Sequence, residues 1–272
     1  MVVRRGTIVI FVFISFLFGA FEYLPRAPLN VGEGAAGLNF SGGIAGMYLD
    51  PASLTSSPGN GFAFQGGRQF GLRALQHQSG VGILQTKLIP LGFGFTSFGN
   101  RSYSEVSFGF FTAHQLGEKI QWGIEANLYS LAIRNYGSDA ALGLTVAWHM
   151  KLFPQVEWGT ILRNITNPTI GREVEPLPQI IISGFLLEAH RNLNIQVEWE
   201  QDTAYKGELK YGVLFKLKPW FSVSTGFRNR TGQFSAALEL QLNYLSLSYA
   251  TVTHPQLGIS QWIGIAVPLV KP

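Results

Sequence analysis

The side chains that could carry acid–base or metal chemistry are few and widely separated in this chain. The histidines are His77, His114, His149, His190 and His254. No two of them stand at the i, i+2 or i, i+4 spacing of a metal-binding pair. His149 falls among polar positions of an alternating stretch, where a lumenal serine could meet it as in a hydrolase. The plainer interpretation is a water-exposed or membrane-interface histidine. We therefore predict that the chain is not an enzyme, with no catalytic residue, no metal site and no cofactor.

Composition excludes further classes of function. The chain has no cysteine, so it has neither disulfides nor thiolate metal ligands. Charged residues make up 13% of the sequence, against about 25% in ordinary soluble domains. Removing Arg4 and Arg5 with a predicted leader leaves 18 of the 20 basic residues against 16 acidic ones. This small excess gives no reason to predict nucleic-acid binding.

From about Tyr103 to Val267, short stretches alternate between apolar residues and polar or small ones. One stretch places Ile120, Trp122, Ile124, Ala126 and Leu128 on one side and Gln121, Gly123, Glu125, Asn127 and Tyr129 on the other. Successive strand side chains point to opposite faces, so each strand has one oily and one wet face. The pattern predicts an all-β fold, an antiparallel transmembrane β-barrel over residues 61–272 with about 14 strands, 12 being the alternative. A soluble sandwich or barrel is the competing interpretation.

The polar face of these strands carries the candidate functional residues. Eight charged side chains share its register: Glu125, Glu157, Glu198, Glu200, Lys210, Lys216, Arg228 and Glu239. Charges inside a narrow barrel must pair with each other or stay in contact with water. They predict either a self-neutralising ladder that stiffens the barrel or a polar route or surface that contacts cargo.

The first 20 residues have the organisation of a secretory signal peptide. Arg4 and Arg5 precede an uncharged apolar run and the small residues Gly19 and Ala20. The alternative, an uncleaved anchor, is disfavoured because the run is shorter than the ~20 apolar residues of a spanning helix. Export of a cysteine-free barrel indicates the outer membrane of a Gram-negative-type bacterium.

Residues 21–60 differ in character from the barrel strands. Glycines and small apolar residues alternate there, and the motif Asp50, Pro51, Ala52, Ser53, Leu54 follows them. Glycine permits close backbone packing, and proline cannot donate to a sheet ladder. The segment is therefore predicted to fold as a compact plug in or at the barrel lumen, with Asp50 held by a lumenal arginine or by backbone donors.

Several motifs in order resemble the FadL and PorV/PorQ class of outer-membrane proteins. They are Gly34–Leu38, Gly42–Gly46 and Asp50–Leu54 near the start, Gly159–Ile165 and Leu177–Gln179 in the middle, and Tyr249–Ala250 with His254–Gly258 near the end. Asp50 stands where the family usually has Asn. Taken together, these motifs are more similar to PorV/PorQ than to the longer fatty-acid transporters.

The resemblance implies two functions. PorV relatives serve type IX protein secretion, which would make secretion-machinery subunits or secreted cargo the partners of this chain, in secretion or envelope assembly. FadL relatives carry hydrophobic small molecules across the outer membrane, which is the alternative, and a purely structural barrel is a third. All three place the chain in contact with outer-membrane lipid, and none involves nucleic acid.

Overall fold

The computed structural model describes residues 20–22, 27–40, 43–57, 59–171, 175–203 and 205–269. All but the last residue of the predicted signal peptide lies outside these ranges. The strands are β1 (Gly61–Arg68), β2 (Gln76–Gln85), β3 (Pro90–Gly99), β4 (Tyr103–Leu116), β5 (Ile120–Ile133), β6 (Gly137–Phe153), β7 (Val156–Arg163), β8 (Thr169–Ile170), β9 (Glu175–Pro176), β10 (Ile180–His190), β11 (Leu193–Asp202), β12 (Glu208–Lys218), β13 (Phe221–Arg228), β14 (Gln233–Leu242), β15 (Leu245–His254) and β16 (Gly258–Pro268).

Fourteen of these strands form one closed antiparallel barrel, as the sequence predicts. Each pairs with the next in the chain, except that β7 pairs with β10 across the small β8–β9 ribbon. The barrel closes where β1 pairs with β16, from Gly61 opposite Pro268 to Arg68 opposite Gln261. Closure leaves no open sheet edge in the wall.

The alternation of the sequence sets the two faces of the wall. In β5, Gly123, Glu125, Asn127 and Tyr129 are buried towards the lumen. On the outer face, one row of residues that lie directly opposite one another crosses β3 to β6: Phe95, Phe108, Leu128 and Leu142. Phe108, Leu128 and Leu142 are all exposed. A soluble protein would bury such a row, so the outer face is suited to lipid.

The two ends of the barrel differ in their connections. At one end, residues 154–155, 191–192, 219–220 and 243–244 form very short turns. At the other end the connections include residues 69–75 and the longest one, 164–179. In outer-membrane barrels short turns face the periplasm and long loops face outwards. We call the short-turn end the inner end and the other the outer end.

The described residues between 27 and 57, which precede β1 in the chain, lie inside the barrel. We call them the plug. It contains the helix α1 (Pro28–Gly32) and the 3-10 helices Ile44–Gly46 and Pro51–Ser56; two more, Gln69–Gly71 and Arg73–Leu75, lie in the β1–β2 loop. Among the described residues, no helix is long and apolar enough to cross a membrane.

Close packing of the plug against the wall depends on glycine. A Cβ added at Gly123 would press on the backbone of Pro51 and Ala52, and one added at Gly226 would overlap the backbone of Gly34. Apolar contacts fill the remaining space: Met47 and Leu54 are fully buried against β1, β2 and β4, and Leu38 is fully buried beside Ile161 and Ile182. The lumen is therefore largely filled.

Candidate functional site

A buried polar contact joins the plug to the wall at Asp50. The residue caps the second plug 3-10 helix, where its Oδ1 accepts a 3.1 Å hydrogen bond from Ala52 N. Its Oδ2 accepts from Asn39 N at 3.0 Å and lies 2.6 Å from Nε2 of His149. His149 Nδ1 lies 2.8 Å from Glu157 Oε1 on the other side of the ring. Both ring nitrogens face carboxylates, so the ring is a doubly donating imidazolium.

The Asp50–His149 pair is buried, and its environment restrains both members. Asp50 is fully buried and His149 is 3% exposed. Phe40 of the plug packs on the imidazole with ring centroids 4.8 Å apart. A buried charge without its partner is costly, so the cluster fixes the plug to β6 and β7. Asp50 is thus held by backbone donors and by a histidine rather than by an arginine.

A second anchor lies beside it on β7. Arg163 donates from Nη2 to the carbonyl oxygen of Leu49 at 2.7 Å. Its Nη1 is 3.9 Å from Glu125 Oε2, a fully buried carboxylate on β5. The Arg163–Glu125 pair of the wall therefore contacts the plug at Leu49, the residue before Asp50.

A third anchor joins the plug to β11. Glu198 accepts hydrogen bonds from the backbone N–H groups of Gly37, at 2.8 Å, and Leu38, at 2.9 Å. Gln196 donates to Leu38 O at 3.2 Å and also contacts Glu198. These contacts provide hydrogen-bond partners for the backbone groups of Gly37 and Leu38, which do not pair with a β-strand.

Charged pairs continue towards the outer end. Lys210 donates to Ala35 O and to Glu200 Oε2, both at 2.7 Å. Glu208 pairs with Arg228 through Nε at 2.9 Å and also accepts from Thr231 N and Oγ1. The wall charges in this region thus neutralise each other while also holding the plug backbone.

Glu33 is the acidic residue of the plug that faces several wall charges. It is 4% exposed, next to Gly212. The pKa of Glu33 is raised to about 8, first by burial and then by the nearby carboxylates of Glu198 and Glu239, while Lys216 lowers it. A group with this pKa changes its protonation within the physiological pH range.

All eight predicted lumen residues have side chains on the lumen side of their strands, but the structure does not gather them into one site. Six of them belong to the pairs and anchors above; Lys216 and Glu239 lie at the inner end. Sequence reasoning missed Glu208, Glu33 and Gln196. Glu208 lies an even number of positions from Lys210 and Lys216, so the strand alternation places it on the same face as they are. Glu33 is the lone charge between positions 27 and 49. The sequence pattern could therefore have identified both residues.

Two cavities lie between the plug and the wall formed by β12 to β16, and the outer one also reaches β11 and the β1–β2 loop. The outer cavity, of about 280 Å³, has an apolar floor that includes Val31, Val252 and Trp262. Its mouth is polar and includes Arg228, Arg230 and Tyr205. The hydroxyl of Tyr205 donates to Glu22 Oε1 at 2.8 Å, which raises the pKa of Tyr205.

The inner cavity, of about 230 Å³, lies beyond α1 towards the periplasm. It is lined by the apolar residues Pro28, Leu29, Ile44 and Ile265 and by polar groups that include Lys216 and Glu239. The first residues of α1 line the inner cavity, and its Val31 lines the outer one. The helix therefore stands as a partition between them.

The partition is sealed by apolar contacts and few hydrogen bonds. Val31 packs with Ala237, Ala250, Val252 and Trp262 of the wall. Polar contacts from the wall to α1 come from two serines: Ser235 Oγ donates to Gly32 O at 2.9 Å, and Ser224 Oγ approaches Leu29 O at 3.4 Å. Within the plug, Asn30 Nδ2 of α1 donates to Leu38 O at 3.2 Å. Helix α1 contains no ionisable side chain, so no ion pair holds it.

Known structures share this fold. The CymD monoaromatic hydrocarbon channel matches with a TM-score of 0.69 and 12% identity over 90% of this chain and 97% of that one. The Pseudomonas putida toluene transporter TodX has a TM-score of 0.66 and 9% identity, over 91% and 98%. A Pseudomonas aeruginosa FadL homologue has a TM-score of 0.64 and 8% identity, over 91% and 99%. No family model matches the chain, and no curated protein matches it.

These comparisons support the FadL part of the predicted resemblance. The PorV/PorQ assignment and the type IX secretion role find no support in them. The closed barrel with its lipid-facing outer surface and FadL-type fold is an outer-membrane protein of a Gram-negative bacterium.

Proposed function

We propose that the protein is a channel for small, ring-sized hydrophobic molecules, and that they pass between the plug and β12 to β16. One observation carries the proposal: two cavities lie on opposite sides of the uncharged helix α1, against the same part of the wall. A ligand that displaces α1 joins the cavities into one route from outside to periplasm.

The cavity volumes define the class of substrate. An apolar cavity of about 150 Å³ holds benzene, and the two cavities here measure about 280 and 230 Å³. Each therefore accommodates one aromatic ring. CymD and TodX, whose fold this chain shares, are described as a monoaromatic hydrocarbon channel and a toluene transporter. The apolar floor formed by Val252 and Trp262 suits such a ligand.

The secretion role predicted from the sequence is the competing function. It requires a surface that receives a protein. Six of the eight predicted charged residues in the lumen instead contact the plug or a charged side chain of the wall, as at Glu198 and Lys210. We therefore propose transport of hydrophobic molecules as the function. The experiment below is designed so that one of its results would indicate the secretion role instead.

A reversible crosslink tests the route. A Cβ built at Gly32 overlaps both Ser224 Oγ and Ala237 Cβ, so cysteines at positions 32 and 224 lie within disulfide reach, and Ala237→Gly relieves the overlap with the Ala237 side chain. The unmodified chain has no cysteine. Cells that lack other FadL-type channels would express Gly32→Cys with Ser224→Cys in the Ala237→Gly background, and uptake of labelled toluene would be measured in oxidant and then in reductant.

We expect toluene uptake in the reduced state and its loss after oxidation, with the single-cysteine variants insensitive to both treatments. Expression that gives no toluene uptake above that of empty cells would contradict the proposal. If crosslinking in those cells then traps secreted proteins in the barrel, the secretion role is the correct one.

A further inference from the structure

We propose that the outer face of the barrel carries a binding site for the phosphate groups of an outer-leaflet glycolipid such as lipid A. The site is a hollow of about 550 Å³ at the outer end of β2 to β5, lined by Arg101, Arg134, Gln76, Ser97 and Ser104. It faces the membrane rather than the lumen, so it is separate from the proposed transport route.

The hollow exists because a row of the wall is made of very small residues. Gly99 pairs with Ser104, Ser104 with Ala132, and Ala132 with Ser138 in the sheet register. These residues alternate with lumen-facing ones such as Glu105 and Leu131, so their side chains lie on the lipid side. No side chain of the row is long enough to fill the space above it.

Two arginines stand above this row on neighbouring connections. Asn100 Oδ1 accepts from Ser102 N at 2.8 Å and Asn100 N donates to Tyr103 O at 2.7 Å, which fixes the turn that carries Arg101. Arg134 N donates to Ser102 O at 3.0 Å, which fixes the second connection beside the first. The backbone thereby holds the two guanidinium groups at one hollow.

Both guanidinium groups are available to a ligand. Arg101 and Arg134 are exposed. Within the described ranges neither forms an ion pair, and no carboxylate lines the hollow. Guanidinium binds phosphate through paired charge-assisted hydrogen bonds, and the serines and Gln76 supply further donors. An anion is therefore the matching ligand.

The surface below the hollow identifies the anion as part of a lipid. Two rows further from the outer rim, the lipid-facing residues become large and apolar: Phe95, Phe108, Leu128 and Leu142. A molecule with phosphate at the rim and acyl chains below would contact both surfaces at once. The outer leaflet of a Gram-negative outer membrane is built of such a glycolipid.

The test compares purified barrels in detergent by native mass spectrometry. The probes are lipid A with both phosphates and lipid A with both phosphates removed. The variants are Arg101→Ala with Arg134→Ala, and Ala132→Leu, which fills the hollow without changing charge. The control is Lys119→Ala with Lys151→Ala at the inner end, where Lys151 N donates to Lys119 O at 2.9 Å in the same arrangement of neighbouring connections.

We expect the arginine variant to bind phosphorylated lipid A about tenfold more weakly. Ala132→Leu should weaken it as well, and the lysine variant should not. Equal binding of both lipids by the unmodified barrel would overturn the proposal, as would an equal loss in the lysine variant. If inorganic phosphate at millimolar concentration displaces the lipid completely, the hollow is a free-anion site and the lipid assignment is wrong. All these residues are exposed, so heat-modifiable migration should confirm intact barrels.

Discussion

Replacing Asp50 by Asn is the sharpest test of how the plug is held. The change keeps the size of the side chain but removes the charge opposite His149, 2.6 Å away. It also turns one acceptor into a donor, so either Ala52 N loses its partner or Asn39 N and the imidazolium both lose theirs. Asp50 is 0% exposed, so water cannot compensate for the loss.

The magnitude follows from this burial. Removing one partner of a buried ion pair costs about 3–5 kcal/mol. At about 1.4 kcal/mol per tenfold change, the population with a released plug should rise by roughly two to three and a half orders of magnitude. Glu157, 20% exposed at its side chain, provides the matched control, because solvent screening makes Glu157→Gln much less costly.

Hydrogen exchange of plug amides in detergent micelles measures the release, and planar-bilayer conductance gives a second readout. We expect faster exchange at Asn39 and Ala52 and more frequent opening in Asp50→Asn, with heat-modifiable migration unchanged. The double variant Asp50→Asn with His149→Gln removes both charges, so it should lose less than the two single changes added together. The reasoning is refuted if Asp50→Asn exchanges like the unmodified protein, or if the double variant is strictly additive.

Two further predictions concern other plug contacts. The pKa of Glu33 is about 8 in the folded protein, against 4.5 for an unperturbed glutamate. Its contribution to plug stability is therefore complete below pH 4.5 and is lost as the pH rises to about 8. Plug exchange should accelerate over that window in the unmodified protein, and Glu33→Gln should abolish the pH dependence; an unchanged profile in the variant would contradict it. Glu198→Gln leaves the backbone N–H of either Gly37 or Leu38 buried and unpaired, at a cost of about 1–3 kcal/mol. Hydrogen exchange at that turn should therefore rise at least about fivefold. Glu239 makes no hydrogen bond to the plug, so Glu239→Gln should have no such effect.

The barrel was predictable because alternation is a local property of each strand. The parity of Glu125, Glu198 and Lys210 relative to their apolar neighbours is enough to place them in the lumen. Strand pairing then follows from short connections between consecutive strands. Neither step requires knowledge of distant contacts.

The contacts within the lumen were not predictable in the same way. Asp50 and His149 are 99 positions apart, and parity shows only that His149 faces inwards. Its partner depends on the path of the plug, which is set by close approaches such as Gly123 against Pro51. No period in the sequence encodes such a path. The glycine-rich composition of residues 21–60 predicted a plug, but its anchors could be identified only in three dimensions.

The distribution of these anchors favours one side of the lumen for movement. Asp50, Arg163 and Glu198 bind the plug to β6, β7 and β11 through charged groups, most of them buried. Helix α1 meets β13 to β16 through two serines and apolar contacts, which tolerate sliding better than an ion pair does. A displacement that spares the charged anchors can therefore occur at α1. Residues of α1 line both cavities, so this helix, which no charged group of the described residues holds, is the one whose movement would open a passage.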